Sequence, residues 1–362
     1  MKKTLVAKLA LAGAVGVAAA LAAGAASAAD CSFCHTMHNS QNGTSMRFDG
    51  GATPLPILLR DDCIGCHSGL NTAASLQNSP PKVIATAAPT YTPVTGGAGA
   101  ANTTLAGGDF WWVGAQGDAK GHNVGLVDTA DATLGNTPPG GTALGGQLQC
   151  AGTAGCHGNP ATANPLASLE GAHHWVHGTV AAPQTTATEV GNSFRYLMGT
   201  YGAEDSDWQF TESTNDHNRY VGQQRTAANA AASATTISGL CARCHGAYHN
   251  TVGGADSFGI NEDNTNFAAG NWIRHPTDYA MSAVTGEYAG YITYQPETPL
   301  GRTAANIANA GNTVTAGHRI VLCVSCHRAH GSPYDDMLRW TYSAMQVGAG
   351  VTHGCMNCHT TK

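Results

Sequence analysis

Six pairs of cysteines, each closing on a histidine, hold the chemistry of this sequence. The chain has twelve cysteines, and none lies outside these pairs. Five pairs have the spacing Cys-x-x-Cys-His, and the sixth has five residues between its cysteines. The pairs and their histidines are Cys31/Cys34 with His35, Cys63/Cys66 with His67, Cys150/Cys156 with His157, Cys241/Cys244 with His245, Cys323/Cys326 with His327, and Cys355/Cys358 with His359.

Cys-x-x-Cys-His is the attachment signature of c-type haem. Two thiols add across the vinyl groups of one rigid macrocycle, and the next histidine reaches the iron from one face. A redox dithiol, half of a zinc site or a disulfide framework also brings cysteines together, but none of these needs a histidine after every pair. The pattern therefore predicts six covalently bound haem c groups.

The stretched pair leaves a disulfide as the alternative to haem. The residues between Cys150 and Cys156 are Ala, Gly, Thr, Ala and Gly, which are all small. Such a loop can bulge away from a porphyrin edge, because glycine adopts backbone angles that other residues avoid. His157 follows as in the other motifs and favours haem.

The second axial ligand of each iron has to come from outside the motifs. Of the seventeen histidines, eleven lie outside the motifs, so six bis-histidine irons can all be saturated. Methionine is an alternative ligand that raises the potential, but no methionine spacing suggests it. For each histidine the alternative is a hydrogen bond to a propionate. The predicted distal ligands are His38, His122, His173, His275, His318 and His330, with His174, His177, His217 and His249 in reserve.

The two ends of the chain form a repeat. Cysteine pairs start 32 residues apart at both ends, and a shift of 292 places Cys31 on Cys323 and His38 on His330. His38 and His330 each follow a motif histidine by three residues, so each is expected to ligate a neighbouring haem. No histidine lies three residues after His157, and the histidine cluster at 173–177 is the expected source of the distal ligand for the third site.

Residues 1–28 have the features of a cleaved secretory signal. Three lysines precede an Ala/Leu/Val/Gly run, and Ala26-Ser27-Ala28 is a small-x-small cleavage site. A membrane anchor is the alternative, although the cleavage site leads straight into the first motif. No later stretch could span a bilayer. Without the three lysines the formal net charge changes from −6 to −9, which argues against nucleic acid as a partner.

The composition predicts little regular structure. The chain has 46 glycines, 7 phenylalanines and 11% charged residues. The expected fold is mostly irregular coil with short helices and very few strands, wrapped around a stacked chain of six c-type haems. Residues 29–362 are expected to form a single domain, with matched haem pairs at 31–67 and 323–359. Helical turns are expected at 238–249 with Ser238 as N-cap, at 304–310 and at 334–346, and a strand at 288–294.

The acidic pairs at 61–62 and 335–336 are two remaining features that could bind an ion. Their carboxylates are of the kind that hold Ca²⁺. A solvated loop face is the alternative and the favoured interpretation of both pairs.

A family resemblance is carried by six segments, 31–40, 107–110, 120–124, 274–276, 323–331 and 355–359. They resemble the OmcS-type hexahaem outer-surface cytochromes of metal-reducing bacteria, an extracellular nanowire family with doubled CXXCH motifs. The resemblance implies electron transfer rather than enzyme activity, and a secreted protein at the cell surface. It implies as partners identical subunits in a filament, upstream multihaem cytochromes, and extracellular acceptors such as metal oxides or other cells. It also implies that His38 ligates a haem of the next subunit.

This chain departs from the family in its shorter length and in its stretched third motif. Two other functions stay open. One is a discrete periplasmic or surface electron shuttle that does not polymerise. The other is a multihaem reductase with one open iron, although the Cys-x-x-Cys-Lys variant is absent.

Overall fold

A computed structural model describes residues 31–361, except 42, 49, 56, 92–102, 175–186, 225–231, 247–274, 276, 282–285, 310 and 349. The predicted signal segment and two reserve ligands, His177 and His249, lie outside the described residues. Across these ranges no helix is both long and apolar enough to cross a bilayer.

The helices are short. In the described ranges there are five α-helices and twelve 3-10 helices, and none exceeds six residues. The α-helices are α1 (Cys31–Cys34), α2 (Cys63–His67), α3 (Ala73–Asn78), α4 (Trp111–Gln116) and α5 (Ile237–Ala242). The 3-10 helices cover Asp118–Lys120, Ala167–Leu169, Ala172–His174, Val190–Asn192, Phe194–Tyr196, Gly286–Tyr288, Ala304–Asn306, Ala316–His318, Cys323–Ser325, Asp335–Met337, Tyr342–Ala344 and Gly354–Asn357.

The strands pair only in twos, and most of the described chain is coil, as predicted. One of the four two-stranded sheets is parallel and three are antiparallel. The strand expected at 288–294 is absent, and the segment has only an isolated bridge between Thr293 and Thr313. The strands are β1 (Ser40–Gln41), β2 (Thr44–Ser45), β3 (Gln149–Ala151), β4 (Gly155–His157), β5 (Gly202–Ala203), β6 (Arg219–Tyr220), β7 (Tyr279–Ala280) and β8 (Ile320–Val321).

The N-cap of helix α5 lies two residues before the predicted one. The Thr236 hydroxyl oxygen accepts the backbone N–H of Gly239 at 3.0 Å and is the actual N-cap. Ser238 is instead buried in the first turn, where its hydroxyl accepts the N–H of Cys323 at 3.4 Å. Thr236 therefore caps the helix, because the Ser238 hydroxyl is bonded to the fifth motif instead.

Apolar side chains form four small clusters in the described residues rather than one core. The composition predicts this result, because segments of Ala, Gly, Thr and Asn bury little apolar area. The cluster that draws on the most distant segments consists of Phe194, Leu197, Tyr220, Ile237, Ile320 and Leu322.

A close backbone contact joins the segment around residue 108 to the end of the fifth motif. Gly108 has φ +86°, and a Cβ added there would lie 1.9 Å from the carbonyl oxygen of Gly331. Only glycine fits this contact. The bond from the N–H of Asp109 to the Gly331 carbonyl, 3.1 Å, fixes the two segments side by side.

Candidate functional site

The five regular motifs each fold as a single helical turn. In Cys31–His35 the histidine N–H donates to the first cysteine's carbonyl at 2.8 Å, and the same bond recurs in the last three motifs at 3.0–3.1 Å. Helix α2 consists of the second motif itself, and the Asp62 carboxylate caps it through Ile64 and Gly65. One turn places residues i, i+3 and i+4 on one face. The two thiols and the imidazole therefore point the same way.

The stretched motif reaches a similar result with strands. β3 and β4 pair in parallel, and the spacer returns on itself with Gly152 at φ +85°. A Cβ on Gly155 would lie 2.5 Å from the backbone of Ala151, so glycine is required there. Both Cys150 and Cys156 are free thiols in the structure. The small spacer residues thus permit a tight return between the two cysteines.

Each motif histidine is oriented by a hydrogen bond at Nδ1. Five of them face a backbone carbonyl oxygen and the sixth faces a carboxylate, at distances of 2.7–3.3 Å. A bond of this kind fixes the tautomer with the proton on Nδ1 and leaves Nε2 free to bind a metal. The acceptors are Leu58 for His35, Pro81 for His67, Arg195 for His157, Pro139 for His245, Asp336 for His327 and the Glu287 side chain for His359.

Five motif histidines face a second histidine from a distant segment. The ring centroids lie 5.9–6.3 Å apart in every pair. Two imidazoles on opposite faces of one metal ion, each bonded at about 2 Å, place their ring centres about 6 Å apart. These residues therefore fit a bis-histidine iron. The pairs are His35/His174, His67/His173, His157/His330, His245/His122 and His359/His275.

The protonation of these imidazoles suits metal binding. Burial lowers the pKa of His67 to about 4 and that of His330 to about 3. Burial also lowers the pKa of His122 and His157. All four rings are thus neutral at pH 7, which is the form that coordinates a metal ion.

His327 differs from the other motif histidines. Its Nδ1 lies 2.7 Å from the carbonyl oxygen of Asp336, but no second imidazole faces it within the described ranges. His38 is exposed at φ +54°, beside the exposed side chain of Met37, and it faces no motif histidine among the described residues. One motif histidine and two predicted ligands, His38 and His318, are thus left over in the described ranges.

Two other histidines face no motif histidine among the described residues. Nδ1 of His318, a predicted ligand, lies 3.2 Å from the Thr313 carbonyl oxygen, and the structure brings the reserve residue His174 opposite a motif histidine instead. The reserve His217 stacks on Tyr294 at 3.6 Å. The cluster at 173–177 also differs from expectation, because His173 and His174 face the first two motifs and His330 faces His157.

Thiols of successive motifs are neighbours. Contact between thiols is the largest influence on the pKa of Cys150 and of Cys241, and it raises both. For Cys66, Cys156 and Cys326, burial raises the pKa most and the neighbouring motif's thiol raises it next. The motifs therefore follow one another in space as they do in sequence. The neighbouring pairs are Cys34/Cys66, Cys63/Cys150, Cys156/Cys244, Cys241/Cys323 and Cys326/Cys355.

The acidic pairs considered for Ca²⁺ have structural roles. Asp62 caps α2, and Asp335 pairs with Lys120 at 2.8 Å. The described part of the chain contains no group of three or more His, Cys, Asp or Glu residues arranged to hold a metal ion.

Two residues that orient these histidines were not predicted as site residues. Phe110 stacks on His330 with ring centroids 4.6 Å apart, and Glu287 bonds His359 across 72 residues of sequence. The family resemblance includes Phe110 but assigns it no role. No local spacing indicates Glu287.

Comparison with known proteins agrees with these motifs. Residues 313–362 match the model of the doubled CXXCH motif family. The chain is 27% identical over 280 residues to the C-type cytochrome OmcS of Geobacter sulfurreducens, in an alignment that covers 65% of this chain and 61% of the relative.

Two solved structures of OmcS from Geobacter sulfurreducens are also similar. The Outer Membrane Cytochrome S Filament is 22% identical, with a TM-score of 0.47, covering 88% of this chain and 84% of the other. The OmcS nanowires, solved by cryo-EM, are 22% identical, with a TM-score of 0.45, covering 92% and 90%. The resemblance predicted from the motifs is confirmed by the sequence relative.

Proposed function

We propose that this chain is a hexahaem c-type cytochrome that carries electrons outside the cell and polymerises into a filament. The observation that carries the proposal is the set of five histidine pairs at 5.9–6.3 Å, each joining a motif histidine to a distant one. Haem c would be held by the twelve thiols and supply a one-electron iron couple. Closing both faces of the iron suits electron transfer and excludes small substrates, so the protein is not an enzyme.

The contacts between thiols support an electron path along the chain. Thiols of neighbouring motifs lie near one another, and those of Cys63/Cys150 and Cys241/Cys323 are in contact, so the attached groups would follow one another from the first motif to the sixth. The first and last motifs are the two ends of this series. Copies joined end to end would extend the path from subunit to subunit.

His38 would join the copies. It is exposed, and the resemblance to the OmcS-type cytochromes assigns its position to ligation across a subunit boundary. His327 is the one motif histidine that no described imidazole faces, so it is the proposed acceptor site for His38 of the next copy. Upstream multihaem cytochromes would load electrons, and metal oxides or other cells would accept them. The predicted signal at 1–28 would direct export through the periplasm.

The test is electron microscopy of the purified, haem-loaded protein. Wild type should form filaments, His38→Ala should remain monomeric with one high-spin iron, and His38→Met should still assemble because methionine also binds haem iron. Added imidazole should return the His38→Ala spectrum to low spin without restoring filaments.

Two results would replace the proposal. Wild-type monomers with six low-spin irons would indicate a discrete shuttle in which a histidine of the same chain faces His327. Wild-type monomers that bind CO or nitrite at one open iron would indicate a reductase.

A further inference from the structure

One motif histidine has a charged hydrogen-bond partner. Nδ1 of His359 lies 3.1 Å from the carboxylate oxygen Oε2 of Glu287. The Nδ1 atoms of the other five motif histidines lie near backbone carbonyl oxygens. A hydrogen bond to an ionised acceptor is about twice as strong as one between neutral groups. The sixth site is therefore electrostatically different from the rest.

Glu287 is held next to the sixth motif by its own backbone. It lies in the 3-10 helix Gly286–Tyr288, and its carbonyl oxygen accepts both the N–H and the hydroxyl of Thr360, each at 2.7 Å. The centroid of the Tyr288 ring lies 5.6 Å from that of the His359 ring, so Tyr288 packs beside the same imidazole. The side chains of Glu287 and His359 are 27% and 25% exposed, so water screens their interaction only in part.

We propose that Glu287 tunes the haem carried by Cys355 and Cys358, so that this haem has a lower reduction potential than the other five. The inference rests on the proposed function. A carboxylate on Nδ1 makes the imidazole a more basic ligand, and a stronger donor favours the ferric iron. Glu287 would keep the Nδ1 proton on His359 in both oxidation states, so an iron held by His359 would take up one electron from the neighbouring haem with no proton bound or released at this ring.

The position of this haem gives the tuning a consequence. Cys326 and Cys355 are neighbours, so the sixth haem would follow the fifth at the end of the series. Transfer of an electron from the fifth haem to the sixth would be uphill in free energy, and transfer from the sixth haem onward would be downhill. Each subunit of a filament would then contain one such step, always at the same place.

The test is a spectroelectrochemical titration of the full haem-loaded chain. Glu287→Gln keeps an acceptor near His359 but removes the charge. The reduction potential of the lowest-potential component should therefore rise by about 59 mV, which corresponds to a tenfold change in the equilibrium constant for one electron. Glu170→Gln is the control, because it removes the same charge from an exposed position. It should leave that component unchanged.

The outcomes separate the tuning from the proposed function. A Glu287→Gln titration that superposes on wild type, with the haem mass present on the peptide containing Cys355 and Cys358, would overturn the tuning. Absence of that haem mass from the wild-type peptide would instead overturn the proposed function.

A second variant covers the case in which Glu287→Gln does not load haem. Thr360→Val removes the hydroxyl that positions Glu287 but keeps the carboxylate, so a smaller upward shift is expected. An unchanged potential in loaded Thr360→Val, with Glu287→Gln unloaded, would count against the tuning.

Discussion

The imidazole rings of His157 and His330 face each other with centroids 6.3 Å apart, although one belongs to the third motif and the other follows the fifth. Phe110 stacks on His330 at 4.6 Å, and the His330 N–H donates to the Gly107 carbonyl at 2.7 Å. The segment at 107–110 thus sets the position of a histidine that lies far away in sequence.

Replacing His330 should open one iron. His330→Ala removes the imidazole opposite His157, so one of the six irons is expected to become high-spin and to bind CO when reduced. His217→Ala is the matched control, because Nε2 of His217 already lies 3.1 Å from Nη2 of Arg302 and its ring stacks on Tyr294, so this variant should leave all irons low-spin. The visible spectrum with and without CO distinguishes the two. A high-spin iron in His217→Ala alone would reverse the assignment.

Gly107 should tolerate no side chain. A Cβ there would lie 2.8 Å from Nδ1 of His330, so Gly107→Ala should displace the ring and yield a partly high-spin iron. Gly114 in α4 has no atom within 4 Å of the position that an alanine methyl would take, and Gly114→Ala should raise stability by about 0.5–1 kcal/mol. Thermal unfolding and the visible spectrum give both results. Equal behaviour of the two variants would contradict the steric argument.

Asp109 should make stability depend on pH. Burial raises the pKa of Asp109 from 3.8 to about 6, although Oδ1 accepts the N–H groups of Ala85 and Trp111. The folded chain therefore holds this proton more tightly, and stability should fall by roughly 2–3 kcal/mol as pH rises from about 4 to about 6. Asp109→Asn, which keeps both bonds to Oδ1, should remove that slope in urea unfolding.

The control for this pH dependence has the opposite sign. Hydrogen bonds from Ala132 and Asn123 lower the pKa of the exposed carboxyl of Asp118. Its contribution is present at neutral pH and is lost as pH falls through the lowered pKa. Asp118→Asn should therefore destabilise the chain at pH 7, and a stability gain there would contradict the assignment.

The ion pair between Arg328 and Glu212 should be costly to break. The two side chains lie 3.4 Å apart and each is 2% exposed. Glu212→Gln leaves a buried guanidinium without its counter-charge, which should cost about 3–5 kcal/mol. Asp335→Asn, which breaks the pair of Lys120 with a carboxylate that is 72% exposed, should cost less than about 1 kcal/mol. Equilibrium unfolding in urea measures both.

The stretched motif should carry one haem. The double variant Cys150→Ser with Cys156→Ser should lose the mass of one haem relative to wild type and keep the other five. Intact-protein mass spectrometry reads the number directly. Identical haem content in the two proteins would mean that these thiols form a disulfide or stay free.

The sequence predicts the two thiols and the motif histidine of each site, but only some of the histidines that face them. Cys-x-x-Cys-His needs one helical turn, so the spacing alone brings Cys63, Cys66 and His67 to one face. The partner of each of the five paired motif histidines comes from a segment with no periodic relation to it. His122 and His330 could be proposed because of neighbouring sequence features, but their pairing with His245 and His157 depends on tertiary contacts.

Competing hydrogen bonds explain why the structure differs from two local predictions, the helix cap at Ser238 and the strand at 288–294. Ser238 has the right residue type for a cap, but its hydroxyl accepts the N–H of Cys323, so Thr236 caps the helix. The segment at 288–294 alternates suitably for a strand. There Tyr291 is buried, and its hydroxyl donates to the Thr298 carbonyl, which leaves only an isolated bridge. Propensity is overridden in both cases by a side-chain hydrogen bond to a residue outside the predicted element.

The histidine pairs also impose an order of completion on the emerging chain. His173 and His174 follow the first two motifs, so under the proposed ligation these two sites would be complete before the later segments emerge. The third site would wait for His330, near the end of the chain. A truncated product that lacks His330 would therefore lack the second ligand of a site in the middle of the chain.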